Sequence, residues 1–396
     1  MTKAVWEPEA EKLEQMRLQQ WLKKLGCSDY DELYEKSVED IGWFWGEAVK
    51  EMEVAWFRPF DKVLDLSKGV KWPSWFAGGT LNVTHTAVDQ FVSDPQMKDR
   101  TAVIWEGEDG EVKSYSYEKL ARWVNRTAIG LQNQGIEKGD RVVLYMPMIP
   151  ETVVAMLAIS KIGAVFTPAF SGYGAEAVAK RIDAAGAKML ITADGFYRRG
   201  KVIPMKEEAD KAVELSSTVE KLVVVRRLGR EIPWSNRCDV RWSELEAEGD
   251  FFRAEEMKSD DPFMLIYTSG TTGRPKGIVH THSGFPIKAA FDAGFCMDLR
   301  ADDVLFWLTD MGWMMGPFLV YGALLNRSTM VMYEGSPDFP EPDRIWKLVE
   351  QHRVSHLGIS PTLIRALMKK ESHWYENCDL SSLKGIGSTG EPWNPD

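Results

Sequence analysis

The sequence predicts an α/β fold in which mainly parallel sheets are covered by helices. Short apolar stretches typical of buried strands recur along the chain, and segments of helical pattern separate most of them. The composition, 44% hydrophobic and 27% charged, is that of a folded globular protein and excludes a disordered, collagen-like or coiled-coil chain. Because ligands of such sheets usually lie beyond the carboxyl ends of the strands, we expect the functional residues in the loops after strands.

The predicted elements begin with a hairpin at 101–117, whose turn is Asp109-Gly110. The regular part then continues as a strand at 141–146, a helix at 150–162, a strand at 164–170 and a helix at 175–185. Further strands are predicted at 188–192, 221–225, 264–268, 304–308, 329–333 and 354–359.

The first ninety or so residues are acidic and rich in tryptophan, so we expect them to form a cover over a larger domain. The charged N-terminus differs from a signal peptide, which needs an apolar core. The longest uncharged run, 311–326, contains Gly and Pro and is interpreted as buried core, so no membrane association is expected.

The net charge limits the kinds of binding partner that we expect, and the cysteine content indicates the cellular compartment. The net charge is −11 and no run of Lys and Arg marks a basic face, so nucleic acid is not expected as a partner. The four cysteines are far apart, which indicates neither a zinc site nor a dense disulfide framework. We therefore predict a cytoplasmic protein, and we assign no residue to a metal.

The strongest motif is the loop YTSGTTGRPKG at 267–277, directly after a predicted strand. Its glycines let backbone N–H groups converge on an anion, its hydroxyls add neutral donors, and Lys276 adds a compact positive charge. The loop is not a Walker A motif, because Pro275 stands where that motif requires Gly. The residues after Lys276 look extended, so we predict a phosphate site between two strands; a polar surface turn is the alternative.

A second pattern, at 172–177, matches the dinucleotide fingerprint G-x-G-x-x-[GA] and is followed by Asp194. It supports the competing hypothesis of a nicotinamide-dependent oxidoreductase. The alternative is an ordinary connection from a strand to a helix.

Together with the loop at 267–277, four further motifs make the chain resemble the AMP-forming acyl-CoA synthetases, in the acetyl-CoA synthetase-like branch of the adenylate-forming superfamily. These motifs are WFAGGTLNV (75–83), KIGAV (161–165), DMGWMMG (310–316) and GSTGEP (387–392). The resemblance implies the large N-terminal domain of the adenylate-forming fold. Residues 1–98 would be an N-terminal extension of acetyl-CoA synthetase type and 99–396 an incomplete AMP-binding domain, with the small C-terminal domain absent. The resemblance also makes 172–177 an ordinary connection.

The resemblance further implies residue roles, of which the catalytic ones fall to Thr268, Thr271 and Lys276. The phosphates of ATP would be held by Thr268, Ser269, Gly270, Thr271, Thr272, Gly273 and Lys276. The adenine would be lined by Gly390, Glu391 and Pro392, the acyl group by Trp313, Met314, Met315 and Thr389, and the 3′-phosphate of coenzyme A by Arg198 and Lys201. Lys201 stands where the branch has Arg.

The implied activity is activation of a short- or medium-chain carboxylic acid by ATP and Mg²⁺, followed by transfer to coenzyme A. The family's later motifs would lie beyond Asp396, so a catalytically inactive nucleotide-binding fragment is the alternative. An incomplete domain would expose sheet edges, and we expect a homo-oligomer or association through that end.

Overall fold

The structure is a computed structural model that describes residues 8–268, 275–370 and 373–392. The helices are α1 (Ala10–Gln15), α2 (Arg17–Lys24), α3 (Tyr30–Glu39), α4 (Ile41–Glu51), α5 (Gln90–Val92), α6 (Tyr117–Asn133), α7 (Pro150–Lys161), α8 (Ala175–Ala185), α9 (Lys206–Leu215), α10 (Phe285–Phe291), α11 (Met315–Leu325), α12 (Arg344–His352) and α13 (Pro361–Met368). Short π-helical turns at His85–Asp89 and Asp292–Cys296 adjoin α5 and α10.

The strands are mostly short, as expected for a buried parallel sheet. They are β1 (Lys62–Asp65), β2 (Ser74–Ala77), β3 (Thr80–Leu81), β4 (Thr101–Gly107), β5 (Val112–Ser116), β6 (Arg141–Tyr145), β7 (Val165–Ala169), β8 (Met189–Ala193), β9 (Gly195–Arg198), β10 (Lys201–Pro204), β11 (Lys221–Val225), β12 (Asp239–Arg241), β13 (Met257–Lys258), β14 (Pro262–Thr268), β15 (Lys276–Thr281), β16 (Val304–Trp307), β17 (Thr329–Glu334), β18 (His356–Ile359) and β19 (Gly385–Ser388).

Two large sheets organise the chain, and both are mainly parallel, which confirms the predicted fold class. Across the described ranges, one sheet has seven strands in the order β12-β11-β8-β6-β7-β14-β15 and the other has six in the order β19-β18-β16-β17-β4-β5. In each sheet the single antiparallel pair is a hairpin at one edge, β14 with β15 and β4 with β5. The second of these is the hairpin predicted around Asp109-Gly110.

A layer of helices lies between the two sheets. Alternate side chains of β6 separate cleanly: Val142 and Leu144 join the core between the sheets, whereas Val143 and Tyr145 face the core under α8 and α9. In the six-stranded sheet, β17 divides its residues in the same way between the middle core and the core under α12 and α13. α7 lies wholly within the middle layer, which explains why it is apolar on every side.

The N-terminal segment packs onto this framework through aromatic side chains, as the tryptophan content suggested. The Trp21 ring of α2 lies 5.6 Å from Phe44, 5.9 Å from Phe291 and 5.0 Å from Phe295. Phe291 belongs to α10 and Phe295 to the π-helical turn after it, so α2 and α4 are fixed to the larger part of the chain by one aromatic cluster. Trp72, by contrast, is 72% exposed.

Three of the strands that the sequence analysis did not predict, β9, β10 and β19, are short and have little apolar pattern. β9 and β10 form a tight hairpin whose turn residues, Arg199 and Gly200, have φ of 52° and 68°. Positive φ at both central positions is typical of a type I′ turn, for which Asn-Gly is the usual sequence signal. β19, with the sequence GIGS, offers no apolar run from which a strand could be predicted. No helix in the described ranges combines the length and the apolar character needed to cross a bilayer.

We expect Trp21→Ala to lower the free energy of unfolding by about 3–5 kcal/mol, because Trp21 is only 2% exposed and its removal leaves a cavity in the aromatic cluster. Urea unfolding followed by far-ultraviolet circular dichroism would measure the change. The control is Trp72→Ala, which should change stability by less than about 0.5 kcal/mol. Equal losses in the two variants would contradict the assignment of Trp21 as the anchor of the N-terminal helices.

Candidate functional site

A cleft of about 740 Å³ lies where the carboxyl ends of strands from both large sheets meet. Its wall contains segments that follow β6, β7, β16, β17, β18 and β19, together with the hairpin after β8 and the start of α13. The lining includes Met148, Phe170, Ser171, Arg198, Trp307, Asp310, Trp313, Met314, Met315, Glu334, Ser360, Thr389 and Gly390. This position is the one expected for a ligand site of parallel sheets.

Asp310 joins the two sheets at the cleft. Its carboxylate accepts hydrogen bonds from the Ser171 hydroxyl at 2.5 Å and from the Gly312 N–H at 2.8 Å. A Cβ atom at Gly312 would lie 2.2 Å from the backbone nitrogen of Phe170, so only glycine allows this approach. Burial raises the pKa of Asp310, and the hydrogen bonds only partly oppose it. The segment that follows β16 is thus docked on the segment that follows β7.

The four residues predicted to bound an acyl group all line this cleft. Trp313 and Met314 are 53% and 47% exposed at the start of α11, where Met315 is the first helical residue. The Trp313 ring lies 5.6 Å from the ring of Phe170. Thr389 contributes to the wall from the end of β19, so these side chains surround one space.

Of the residues predicted to line the adenine, one lines the cleft and two contact α13. Gly390, with φ of 99°, lines the cleft, where its backbone needs glycine. Glu391 turns to the N-terminus of α13, accepting a hydrogen bond from the Thr362 N–H at 2.7 Å and pairing with Arg365 at 3.1 Å. The Pro392 carbonyl accepts a hydrogen bond from the same guanidinium at 3.3 Å. Hydrogen bonding from Thr362, followed by the Arg365 contact, lowers the pKa of Glu391.

Of the predicted phosphate loop, the structure describes the two ends. Ser269, Gly270, Thr271, Thr272 and Gly273 lie outside the described residues. Thr268 and Lys276 are direct cross-strand partners at the end of the β14–β15 hairpin. Since Met264 pairs with Phe166, Thr268 lies level with Phe170, at the end of the sheet that bears the cleft. Both ends of the loop are exposed, and in the described ranges Lys276 has no carboxylate as an ion-pair partner.

The predicted pair for coenzyme A, Arg198 and Lys201, flanks the turn of the β9–β10 hairpin as direct cross-strand partners. The turn is held from below: the Gly200 N–H donates to Glu108 at 2.7 Å, and Arg199 pairs with Asp338 at 2.8 Å. Both predicted side chains are exposed, but only Arg198 lines the cleft.

Glu334 is a cleft residue that the sequence analysis missed. Its carboxylate accepts hydrogen bonds from the Arg227 Nε at 2.7 Å and from the Tyr197 N–H at 3.1 Å. Burial raises its pKa to about 7, although the Arg227 charge works in the opposite direction. Its position at the carboxyl end of the predicted strand 329–333 was the signal that could have identified it.

Trp307 is a second missed residue, and it forms a flat wall of the cleft. It pairs with Gly358, which pairs in turn with Gly387 on the next strand. A Cβ at Gly358 would lie 1.9 Å from the indole, and one at Gly387 would lie 3.0 Å from it. The two glycines therefore leave the space in which the indole lies across β18 and β19.

The dinucleotide-like pattern at 172–177 does not form an anion site. The N–H of Ala175, the first residue of α8, donates to the Glu208 carboxylate at 3.0 Å, so a carboxylate of the chain occupies that helix N-terminus. Asp194, the acid of the pattern, is buried and accepts a hydrogen bond from the Leu228 N–H at 2.9 Å. The geometry supports an ordinary connection.

Potential metal-binding side chains are not clustered in the described parts of the chain. Those ranges contain no group of three or more His, Cys, Asp or Glu residues that could hold a metal ion.

Comparison with known proteins identifies close relatives along the whole chain. Residues 92–396 match the family model described as AMP-binding enzyme, and 30–87 match acetyl-coenzyme A synthetase N-terminus. Acetyl-coenzyme A synthetase from Pyrobaculum aerophilum is 40% identical, over 97% of this chain and 59% of that relative. The 3-hydroxypropionyl-coenzyme A synthetase from Sulfurisphaera tokodaii is 39% identical, over 92% and 56%.

A solved structure is also similar. Acetoacetyl-CoA synthetase from Streptomyces lividans superposes with a TM-score of 0.91 at 30% identity, over 98% of this chain and 60% of that one. The chain therefore spans somewhat less than two thirds of the length of these relatives.

The raised pKa of Glu334 predicts a pH-dependent stability. A glutamate has an ordinary pKa of 4.5, so the folded state holds a proton that the unfolded chain has released. The contribution of Glu334 to the free energy of unfolding is therefore fully present below pH 4.5, and it is lost as the pH rises through about 7. Glutamine stays neutral at every pH. We therefore expect the free energy of unfolding of Glu334→Gln to rise by ~3 kcal/mol relative to that of the native chain between pH 4.5 and about 7.

Urea unfolding of both chains at a series of pH values would measure this difference. Glu118→Gln, which replaces an exposed carboxylate of α6, serves as the control and should follow the native chain. A constant difference between Glu334→Gln and the native chain at every pH would disprove the shift.

Proposed function

We propose, since this chain belongs to the AMP-binding enzyme family, that it activates a short- or medium-chain carboxylic acid with ATP. The product would be an acyl-adenylate, which is then converted to acyl-CoA. The observation that carries the proposal is the cleft, which brings Trp313, Met314, Met315 and Thr389 together with Gly390 and Arg198 at one end of both sheets.

The first half of the reaction joins the acid to AMP. A carboxylate oxygen of the substrate attacks the α-phosphorus of ATP, and pyrophosphate leaves. An ionised carboxylate requires no general base, so the contribution of the chain is to position the reactants and neutralise charge. We assign this to Thr268, Thr271 and Lys276, with Ser269, Gly270, Thr272 and Gly273 as further phosphate ligands.

The exposed Lys276 ammonium and the hydroxyl of Thr268, paired across the hairpin, fit the requirement for a cation and a neutral donor beside phosphate oxygens. Mg²⁺ usually binds through one or two carboxylates and the substrate phosphates, and when bound it would neutralise part of the triphosphate charge.

The second half transfers the acyl group to sulfur. The thiol of coenzyme A attacks the acyl carbon, a C–S bond forms, and AMP leaves with the electrons of the C–O bond. We propose that Arg198 and Lys201 bind the 3′-phosphate of coenzyme A, because both are exposed cations at the tip of a braced hairpin. We propose that Gly390, Glu391 and Pro392 contact the adenine through their backbone, since the Glu391 side chain is bound to Thr362 and Arg365.

The acyl wall of the cleft is compatible with a short- or medium-chain carboxylate. It is made of Trp313, Met314 and Met315, and methionine side chains adapt to several shapes. We further propose a cytoplasmic location, the division of the chain at residues 98 and 99, and association between copies. Nucleotide binding without catalysis is the second candidate, since the same cleft would hold a nucleotide that does not react.

The proposed role of Lys276 predicts that Lys276→Ala weakens ATP binding by about tenfold or more, because a charge-assisted contact to phosphate is lost. Isothermal titration of Mg-ATP measures this. Lys288→Ala, which removes an exposed lysine of α10, is the control and should bind like the native chain. Equal affinity of all three proteins would refute the assigned loop.

Acyl-hydroxamate formation from Mg-ATP, hydroxylamine and a panel of carboxylates separates the two candidate functions. Turnover that disappears in Lys276→Ala supports adenylation and identifies the acid. ATP binding without hydroxamate formation from any acid supports the second candidate, nucleotide binding without catalysis.

A further inference from the structure

A second cavity, of about 230 Å³, lies at the seam between the N-terminal helices and the rest of the chain. Arg17 of α2 and the segment 51–53 at the end of α4 line one side. Arg300, Ala301 and the segment 325–327 at the end of α11 line the other. This cavity shares no lining residue with the cleft described above.

The charges around the cavity leave one cation without a carboxylate partner. Each nearby carboxylate has a cation of its own, in the pairs Glu51 with Lys24, Glu53 with Arg327, and Asp298 with Arg300. Arg17 is the exception, since no ion pair links its guanidinium to a carboxylate within the described residues. The excess positive charge of the cavity therefore resides on Arg17.

The Arg17 guanidinium is oriented by neutral groups. Its Nη1 donates to the carbonyl oxygen of Leu299 at 2.5 Å and to the Asn326 side-chain oxygen at 2.6 Å. The ring of Phe295 lies 4.8 Å from its central carbon. In the described ranges Nε and Nη2 have no acceptor. A fixed guanidinium with unused donors at a cavity is the arrangement that binds an oxyanion in two-point fashion.

The rim of the cavity is also conformationally strained. Glu53 and Arg327 have φ of 52° and 63°, in the left-handed region that non-glycine residues seldom adopt. They follow the ends of α4 and α11, where glycine is the usual residue. Neither residue is glycine here, and the Glu53 carboxylate forms an ion pair with the Arg327 guanidinium across the seam. Arg327 therefore lines the cavity beside Arg17 and Arg300 while its charge is paired with Glu53.

We propose that this cavity is a binding site for a small inorganic oxyanion of the phosphate type, separate from the proposed nucleotide site. Arg17, Arg300 and Arg327 all line it, and Arg17 carries a positive charge that no carboxylate pairs within the described residues, in a chain whose net charge is −11. The volume is below the roughly 300–1,000 Å³ of sites that enclose drug-sized ligands, so the cavity suits phosphate or pyrophosphate better than a whole nucleotide. The bound anion links the N-terminal helices to the large sheets.

Thermal unfolding of the full chain with increasing inorganic phosphate, at ionic strength held constant with chloride, tests this proposal. We expect a saturable rise of the midpoint by about 2 °C. Arg17→Gln should abolish the rise, whereas Arg253→Gln, which removes a 79% exposed arginine side chain, should retain it. Lys276→Ala should also retain it, because the phosphate loop belongs to the other site. The same titration with pyrophosphate shows which anion binds more tightly.

Amide hydrogen exchange of the native chain gives a second readout that needs no variant. Phosphate should slow exchange at least threefold in α2 and at the end of α4. A midpoint shift that survives in Arg17→Gln but disappears in Lys276→Ala would overturn the proposal and place phosphate at the cleft. The absence of any shift and of any slowed exchange in the native chain would also overturn it.

Discussion

The helical layer shared by the two sheets is the constraint on which the rest of the structure depends. α7 can lie there only because it is apolar on all sides, and the strands of both sheets present alternate side chains to it. Burying one common core fixes the distance and the direction of the sheets relative to each other. Their carboxyl ends then meet, and the cleft forms between loops that no single sheet could bring together.

The contact at Asp310 shows how sequence detail converts that arrangement into a defined site. A buried carboxylate without partners would be costly, and the hydrogen bonds from Ser171 and Gly312 offset this cost. The close approach of Gly312 to Phe170 sets the depth of the junction. Trp313, Met314 and Met315 follow immediately, so their positions depend on both sheets.

Much of the fold was predictable because apolar strands and helices carry strong periodic signals, as at 141–146 and 150–162. The β9–β10 hairpin and β19 were not predictable, because their pairing depends on a turn conformation and on neighbouring strands. For the site, the family resemblance of the motifs at 310–316 and 387–392 identified Trp313 and Thr389, whereas Glu334 and Trp307 acquire their roles from residues far away in sequence. The pairing of Glu391 with Arg365 has the same origin.

The carboxylate of Glu208 at the start of α8 has a consequence for how the fold distinguishes between nucleotides. The N-terminus of a helix that follows a parallel strand is a common binding site for phosphate, and many folds use it. In this protein the Glu208 carboxylate occupies the N-terminus of α8, so its negative charge repels other anions there. Nucleotide phosphates are thereby kept from the N-terminus of α8, and a conversion to dinucleotide binding there would have to begin by removing the Glu208 carboxylate.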